Sequence, residues 1–256
     1  MIRTHPTLSF VLGLSLLARS PAGHAEEEKE RDKPSAPVPE GYSLVYESGF
    51  DDADAVKALR ATDPGAWRHA KEGEDGGALE LHRQSRYEYE VRSPFNIALI
   101  DGLVFEDFIL EVDLQQTGKE YGHRDLCLFF GVEDRSKFYY VHLATKADPN
   151  AHNVFIVNGE PRKSFATKTT EGVDWGREVW QKVRLERDTK AGTIKVFWND
   201  MKTPIMLAED TTFTKGYIGF GSFDDTGKVD NVRIWAPEPP EKKKSKDFFE
   251  PGRKAE

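Results

Sequence analysis

The chain has 256 residues, a formal net charge of −8 and one cysteine, Cys127. An acidic balance disfavours a general nucleic-acid binder, whose footprint is basic. A single cysteine rules out an internal disulfide, so stability must come from an apolar core.

The N-terminus carries Arg3, an apolar run over 8–17, and then Gly23 and Ala25 at the two small-residue positions read by a signal peptidase. This pattern predicts an export leader over 1–25, cleaved after Ala25, and a secreted or periplasmic protein. The apolar run spans about 15 Å as a helix, roughly half a bilayer core, so it is no membrane anchor. Residues 26–40, EEEKERDKPSAPVPE, are nearly all charge and proline, too polar to offset their ordering entropy, and are expected to be a disordered linker. Residues 238–256, with Lys242, Lys243, Lys244 and Lys246, are expected to be a disordered, solvated tail.

Between these ends, over 41–237, runs of β-branched and aromatic residues recur between Gly, Asp, Asn and Pro. They predict strands at 43–47, 78–82, 88–92, 108–115, 125–133, 138–144, 153–157, 180–187, 193–199, 205–208, 216–222 and 230–236. The one helical stretch expected is short, at 54–61. Many strands at short spacing without alternating helices predict an all-β, antiparallel sandwich in a single domain. Phe108, Leu110, Val112 and Leu114 alternate with Ile109, Glu111, Asp113 and Gln115, one face core and the other polar. Residues 188–192 read as a hairpin loop, and Gly216, Gly219 and Gly221 as places where another backbone comes close.

Candidate chemistry concentrates in the middle of the domain. Tyr140 and His142 share a strand face, His123-Arg124-Asp125 opens the preceding strand, His152-Asn153 opens the following one, and Arg162 comes after it. If these strands are neighbours, the group suits sugar elimination: arginines neutralise an acceptor while His142 or His152 serves as base and Tyr140 as acid. His123, Asp125, His142 and His152 are also candidate transition-metal ligands, although their spacing fits no zinc signature. Trp175, in a Gly- and Asp-rich loop, is a candidate sugar-stacking ring. No phosphate-cradling glycine loop, Gly-x-Ser-x-Gly elbow or Cys-x-x-Cys pair occurs, which disfavours nucleotide enzymes, serine hydrolases of that type and thiol redox proteins.

The stretches Gly49-Phe-Asp-Asp52, Phe108-Ile-Leu-Glu-Val-Asp113, Trp180-Gln-Lys-Val-Arg-Leu185, Gly216-Tyr-Ile-Gly-Phe-Gly221 and Val229-Asp-Asn-Val-Arg-Ile-Trp235, with Trp67, resemble the concanavalin A-like lectin and glucanase superfamily. Within it they resemble the laminin-G-like domains and the 3-keto-disaccharide hydrolase domain of environmental bacteria. The resemblance implies a jelly roll and a carbohydrate partner, either cleaved by a glycoside hydrolase or lyase or held by a non-catalytic module; a structural envelope protein is the third alternative. Glu111-Val-Asp113-Leu-Gln115 is similar to the Glu-x-Asp-x-Glu strand of laminarinase-like hydrolases, where the first Glu is nucleophile and the last is acid/base. Here the last is Gln115, and an amide cannot supply the leaving-group proton. Glu111, Asp113, Gln115, Asp125, Asn153 and Trp175 are therefore expected to bind substrate. The superfamily also implies a structural Ca²⁺ tying the first strand to the last, for which Asp51 and Asp230 are the candidates.

Overall fold

The computed structural model describes residues 34–72, 76–244 and 248–249. The expected leader and most of the expected linker lie outside the described residues. The elements in chain order are β1 (Ser43–Ser48), α1 (Ala53–Lys57), β2 (Leu59–Ala61), β3 (Trp67–Glu72), β4 (Gly76–Leu81), β5 (Asn96–Ile100), β6 (Gly102–Val104), β7 (Phe108–Gln116), β8 (Asp125–Asp134) and β9 (Lys137–Ala144). They continue with β10 (Asn153–Asn158), β11 (Lys163–Ser164), β12 (Lys168–Thr169), β13 (Trp180–Asp188), β14 (Thr193–Trp198), β15 (Met206–Glu209), β16 (Tyr217–Ser222), β17 (Gly227–Ala236) and β18 (Glu241–Lys243).

Two antiparallel sheets stack face to face. One has nine strands, ordered β12-β15-β14-β13-β7-β17-β4-β3 with β1 added beside β17. The other has seven, ordered β11-β10-β9-β8-β16-β5-β2. The alternation read from the sequence sets which side of each strand is core. Leu110, Val112 and Leu114 of β7 meet Leu126, Leu128 and Phe130 of β8 and Tyr139, Val141 and Leu143 of β9 in one buried cluster. The glycines of β16 close the seven-stranded sheet: a Cβ on Gly221 would stand 1.8 Å from the carbonyl oxygen of Asn96 on β5, so no other residue fits there. The hairpin loop over 188–192 is present, its Asp188 carboxylate accepting from the Ala191 N–H at 2.7 Å.

Three local expectations differ from the structure. The expected helix over 54–61 ends at Lys57, and its last residues become β2 against β5. The segment 88–92 is irregular rather than a strand; it crosses the outer face of the seven-stranded sheet, where Tyr87 and Val91 pack on a second cluster that includes Leu99, Phe129, Tyr140 and Phe155. The strand of that region is β5, whose continuous run Asn96–Ile100 is buried on both sides.

Parts of both charged ends are docked, which corrects the expectation of free segments there. In the C-terminal segment, β18 pairs with β6, the Tyr217 hydroxyl donates to the Lys243 carbonyl at 2.8 Å, and Phe248 and Phe249 pack on Tyr217 and Tyr87. At the other end Ser35, Ala36 and Pro37 cover the outer face of the nine-stranded sheet. The Ser35 N–H donates to both Glu111 oxygens, at 3.1 and 2.9 Å. Arg184 Nη1 donates to Glu111 at 2.6 Å and to the Ala36 carbonyl at 3.3 Å, Nε donates to Glu186 at 2.8 Å, and Nη2 donates to the Pro37 carbonyl at 2.8 Å. Among the described residues no helix is long and apolar enough to cross a membrane.

Glu111 and Arg184 are 2 % and 1 % exposed, so removing one partner strands a buried charge. Arg184→Met is expected to lower the unfolding free energy by about 3–5 kcal/mol, measured by urea denaturation; a loss below about 1 kcal/mol, the range of an exposed pair, would show that the contact is not buried in solution.

Candidate functional site

β8 and β9 pair with Cys127 opposite His142, and β10 places Asn153 beside His142 on the other side. Because side chains alternate along a strand, Asp125, Cys127, Tyr140 and His142 all face outward from the seven-stranded sheet. Asp125 is fully buried. Its two oxygens accept from the Ser222 hydroxyl at 3.0 Å, the Phe223 N–H at 3.0 Å and the Cys127 thiol at 3.1 Å. Nε2 of His142 lies 3.2 Å from the same carboxylate. Burial alone would raise the Asp125 pKa, but the His142 imidazole and then the Phe223 N–H and Cys127 thiol outweigh it and hold the carboxyl below its usual range.

His142 is 3 % exposed. Its Nε2 is off the line a hydrogen bond to Asp125 needs, and its Nδ1 has no hydrogen-bond partner. The ring lines a cavity of about 270 Å³ together with Arg92, Arg162, Tyr121, His123 and Phe223. Such a volume falls just under the roughly 300–1,000 Å³ of sites that engulf a drug-sized molecule and suits one sugar ring. The Arg162 guanidinium lies over the Phe223 ring, 4.2 Å from its centroid. The Arg162 N–H donates to the Arg92 carbonyl at 3.1 Å, which ties the irregular 88–92 segment to the cavity wall. Behind the lining residues Tyr121 and Asp224, Asp225 accepts from the Tyr121 hydroxyl at 2.7 Å and from the Asp125 N–H at 3.0 Å. Its burial, and the negative charges of Asp125 and Asp224, raise its pKa to about 6 despite those bonds.

The remaining sequence candidates divide plainly. His123 is half exposed and pairs with Asp148 at the cavity rim. Arg124 turns away, donating to the Gly176 carbonyl, and lines a neighbouring cavity of about 480 Å³ that shares Tyr121. Tyr140 does not reach the cavity: it is 0 % exposed, stacked on Phe155 with centroids 5.0 Å apart, and its hydroxyl accepts from Arg162 at 3.1 Å. Burial pushes its pKa well up, and its position excludes the acid role expected for it. His152 is excluded as a base. Its backbone is left-handed, φ 50°, its Nε2 contacts the Thr170 hydroxyl at 2.9 Å and its Nδ1 faces the Ala144 N–H. Burial first, then His142, lowers its pKa to about 4, so it is a neutral structural ring. Asn153 accepts from the Ala166 N–H at 3.1 Å and clips a loop.

Glu111, Asp113 and Gln115 lie on the opposite side of the sandwich and do not line the cavity. Glu111 is locked to Arg184, Asp113 to Lys182 at 2.7 Å and Asn231 at 2.9 Å, and Gln115 donates to the Glu178 carbonyl at 3.0 Å. Trp175 is not an exposed platform either: it is 1 % exposed and packs edge-on against Trp198, centroids 4.8 Å apart. Arg92, Tyr121 and Phe223 were not singled out from the sequence. They come from three segments far apart in the chain, and the sequence signal for Arg92 was misread as strand.

Asp125, Cys127 and His142 also bring ligand atoms within 4.8 Å of one another, as do Asp125, Asp224 and Asp225. In the first set burial, and then the Asp125 charge, push the thiol pKa well up. A thiol held protonated and donating to Asp125 is the reverse of the thiolate that a soft cation requires. Asp51 and Asp230 belong to neither set. Asp230 lies near Asp113, Asp51 and Glu72; burial, with those three charges and against the Asn231 N–H, raises its pKa to about 7.

The structure is similar to other two-sheet proteins. A protein of unknown function with a galectin-like fold from Bacillus subtilis superposes with a TM-score of 0.50 at 16% identity, over 78% of this chain and 98% of that one. The GH43 protein BlXynB from Bacillus licheniformis gives 0.51 at 10% identity, over 80% of this chain and 41% of that one. The carbohydrate binding module CBM66 from Bacillus subtilis gives 0.49 at 17% identity, over 70% and 96%. No protein-family model matches the chain, and no curated protein matches it in sequence. The fold is an antiparallel β-sandwich of two stacked sheets, as the sequence predicts.

Between pH about 3.8 and about 7 the folded protein holds a proton on Asp230 that the unfolded chain has lost, so stability falls as pH rises through that window. Asp230→Asn is expected to flatten that fall and to raise the urea midpoint at pH 8 above that of the parent chain. An unchanged pH profile would contradict the raised pKa.

Proposed function

We propose that this is an exported carbohydrate-active protein that holds a sugar in the cavity beside His142 and cleaves the chain by removing a proton next to a carbonyl or carboxyl group. The observation that carries the reading is the His142–Asp125 pair at the wall of a sugar-sized cavity. A buried carboxylate 3.2 Å from the ring stabilises the imidazolium that proton uptake creates. We assign the acceptor role to Nδ1, which is buried and without a hydrogen-bond partner, with a proton on Nε2 on the side of Asp125. In the step, the C–H bond breaks and its proton goes to His142. The electron pair forms a C=C bond, the glycosidic C–O bond breaks, and water at the open mouth protonates the departing oxygen.

Two-carboxylate hydrolysis is less well supported. It needs a pair of carboxyl groups flanking the bond, and among the described residues lining this cavity the carboxylate is Asp224 alone. The same shortage favours the second reading, a module that binds sugar without cleaving it, because among the described residues lining the cavity no side chain is a well-placed proton donor to the leaving group.

The test is a glycan panel that includes 3-keto-glycosides and uronate-containing oligosaccharides, with unsaturated product followed by ultraviolet absorbance and binding followed on the same ligands. His142→Ala is expected to reduce turnover by about 10²–10⁴-fold with binding and the circular dichroism spectrum retained. Turnover unchanged in that variant removes His142 from the chemistry, and binding without product in the parent chain makes the protein a lectin-like module.

A further inference from the structure

Arg184 meets Glu111 and Glu186, and Arg233 meets Glu47 at 2.8 Å. The two arginines of the cavity differ. Arg162 spends one nitrogen on the Tyr140 hydroxyl and stacks on Phe223 and Phe155, 4.2 and 5.2 Å from the ring centroids. Arg92 reaches the same Phe223 ring, 5.7 Å from its centroid. Among the described residues neither has a carboxylate within 4.0 Å, while His123, on the same wall, has Asp148.

Two guanidinium groups held around one aromatic ring repel each other, and the chain around them carries a net charge of −8, with ample carboxylates to match them elsewhere. Their position is set by the Arg162–Arg92 backbone bond and by Phe223, whose N–H is fixed by the buried Asp125. Guanidinium presents planar, paired N–H donors that fit a carboxylate or sulfate in two-point contact and lose little entropy when pre-oriented by stacking. The ring face supplies the apolar side of the cradle.

We infer that Arg92 and Arg162 form an anion receptor, and that the sugar held beside His142 is an acidic one whose carboxylate they bind. The inference rests on the function proposed above and narrows it. Neutralising a carboxylate by two guanidiniums makes the hydrogen on the adjacent carbon more acidic, and that is the hydrogen His142 is placed to accept. The step is the one already balanced, with the carboxylate unchanged in oxidation state.

The direct test is calorimetric titration of the full chain with three probes: oligogalacturonate, the same oligosaccharide with its carboxylates methyl-esterified, and a sulfated galactan oligosaccharide without uronate. Each is run at low and at high salt. Oligogalacturonate is expected to bind at least tenfold more tightly than its ester and to weaken with salt. Arg92→Gln, at an exposed position, is expected to erase most of that difference, and Arg162→Gln the rest. Equal affinity for acid and ester, or a preference that survives in both variants, overturns the anion receptor while leaving the sugar cavity standing. Tighter binding of the sulfated probe than of the uronate overturns the carboxylate assignment. If none of the three probes binds, while a neutral 3-keto-glycoside binds and is cleaved, the receptor is overturned and the proposed activity survives. If no glycan of any kind binds, both readings fall together.

Discussion

A carboxylate without solvent must be satisfied by its neighbours, and Asp125 is such a group. Leaving an ionised acid buried and unpaired costs several kcal/mol, so the chain around it is arranged to supply donors. The Ser222 hydroxyl and Phe223 N–H come from the end of β16 and the Cys127 thiol from its own strand, and the His142 ring of β9 stands 3.2 Å from the carboxylate. Those contacts fasten the ends of three adjacent strands. They also decide where the Phe223 ring lies, and Phe223 in turn carries Arg162 and Arg92. Remove the carboxylate and the orientation of the proposed base and the position of the aromatic cradle lose their common support.

The two outer faces of the sandwich are used differently. On the nine-stranded sheet the polar face is closed: Glu111 and Arg184 neutralise each other and Ser35, Ala36 and Pro37 lie across them. On the seven-stranded sheet the outer face is aromatic and apolar, and it is covered by the segment around Tyr87 and Val91 and by Phe248 and Phe249. The cover stops short of the end where Asp125 and His142 sit. The cavity is thus the uncovered end of an otherwise shielded face, floored by polar groups that point outward because the strands alternate.

Much of the fold was legible because its signals are local. The two-residue period over 108–115, the turn chemistry of 188–192 and the glycines 216, 219 and 221 at and before β16 each specify their own structure, and Gly221 is a close backbone approach. The site was legible only in part. His142 and Arg162 were identified, and their convergence follows from the pairing of β8, β9 and β10. His152 was assigned with them because a strand start does not reveal that its residue is left-handed and turned toward Thr170. Tyr140 shares a face with His142, as read, but alternation says nothing about what covers that face. Glu111 and Gln115 have the spacing of a catalytic strand, but Glu111 is held by Ser35 and Arg184 and Gln115 by the Glu178 carbonyl, contacts distant in sequence. Trp175 sits in a polar loop by sequence and in the core by packing. Arg92 and Phe223 owe their roles to contacts with residues distant in sequence, which no local pattern encodes.

The account centres on one cavity and one histidine. Side-chain nuclear magnetic resonance of the imidazoles, followed while an acidic oligosaccharide is added, tests it most directly. The account predicts that the His142 and His123 resonances move together and saturate, with His152, buried and facing Thr170, unmoved. Saturable binding that leaves His142 still, or that shifts instead the residues around Asp113 and Gln115 on the opposite sheet, would contradict it.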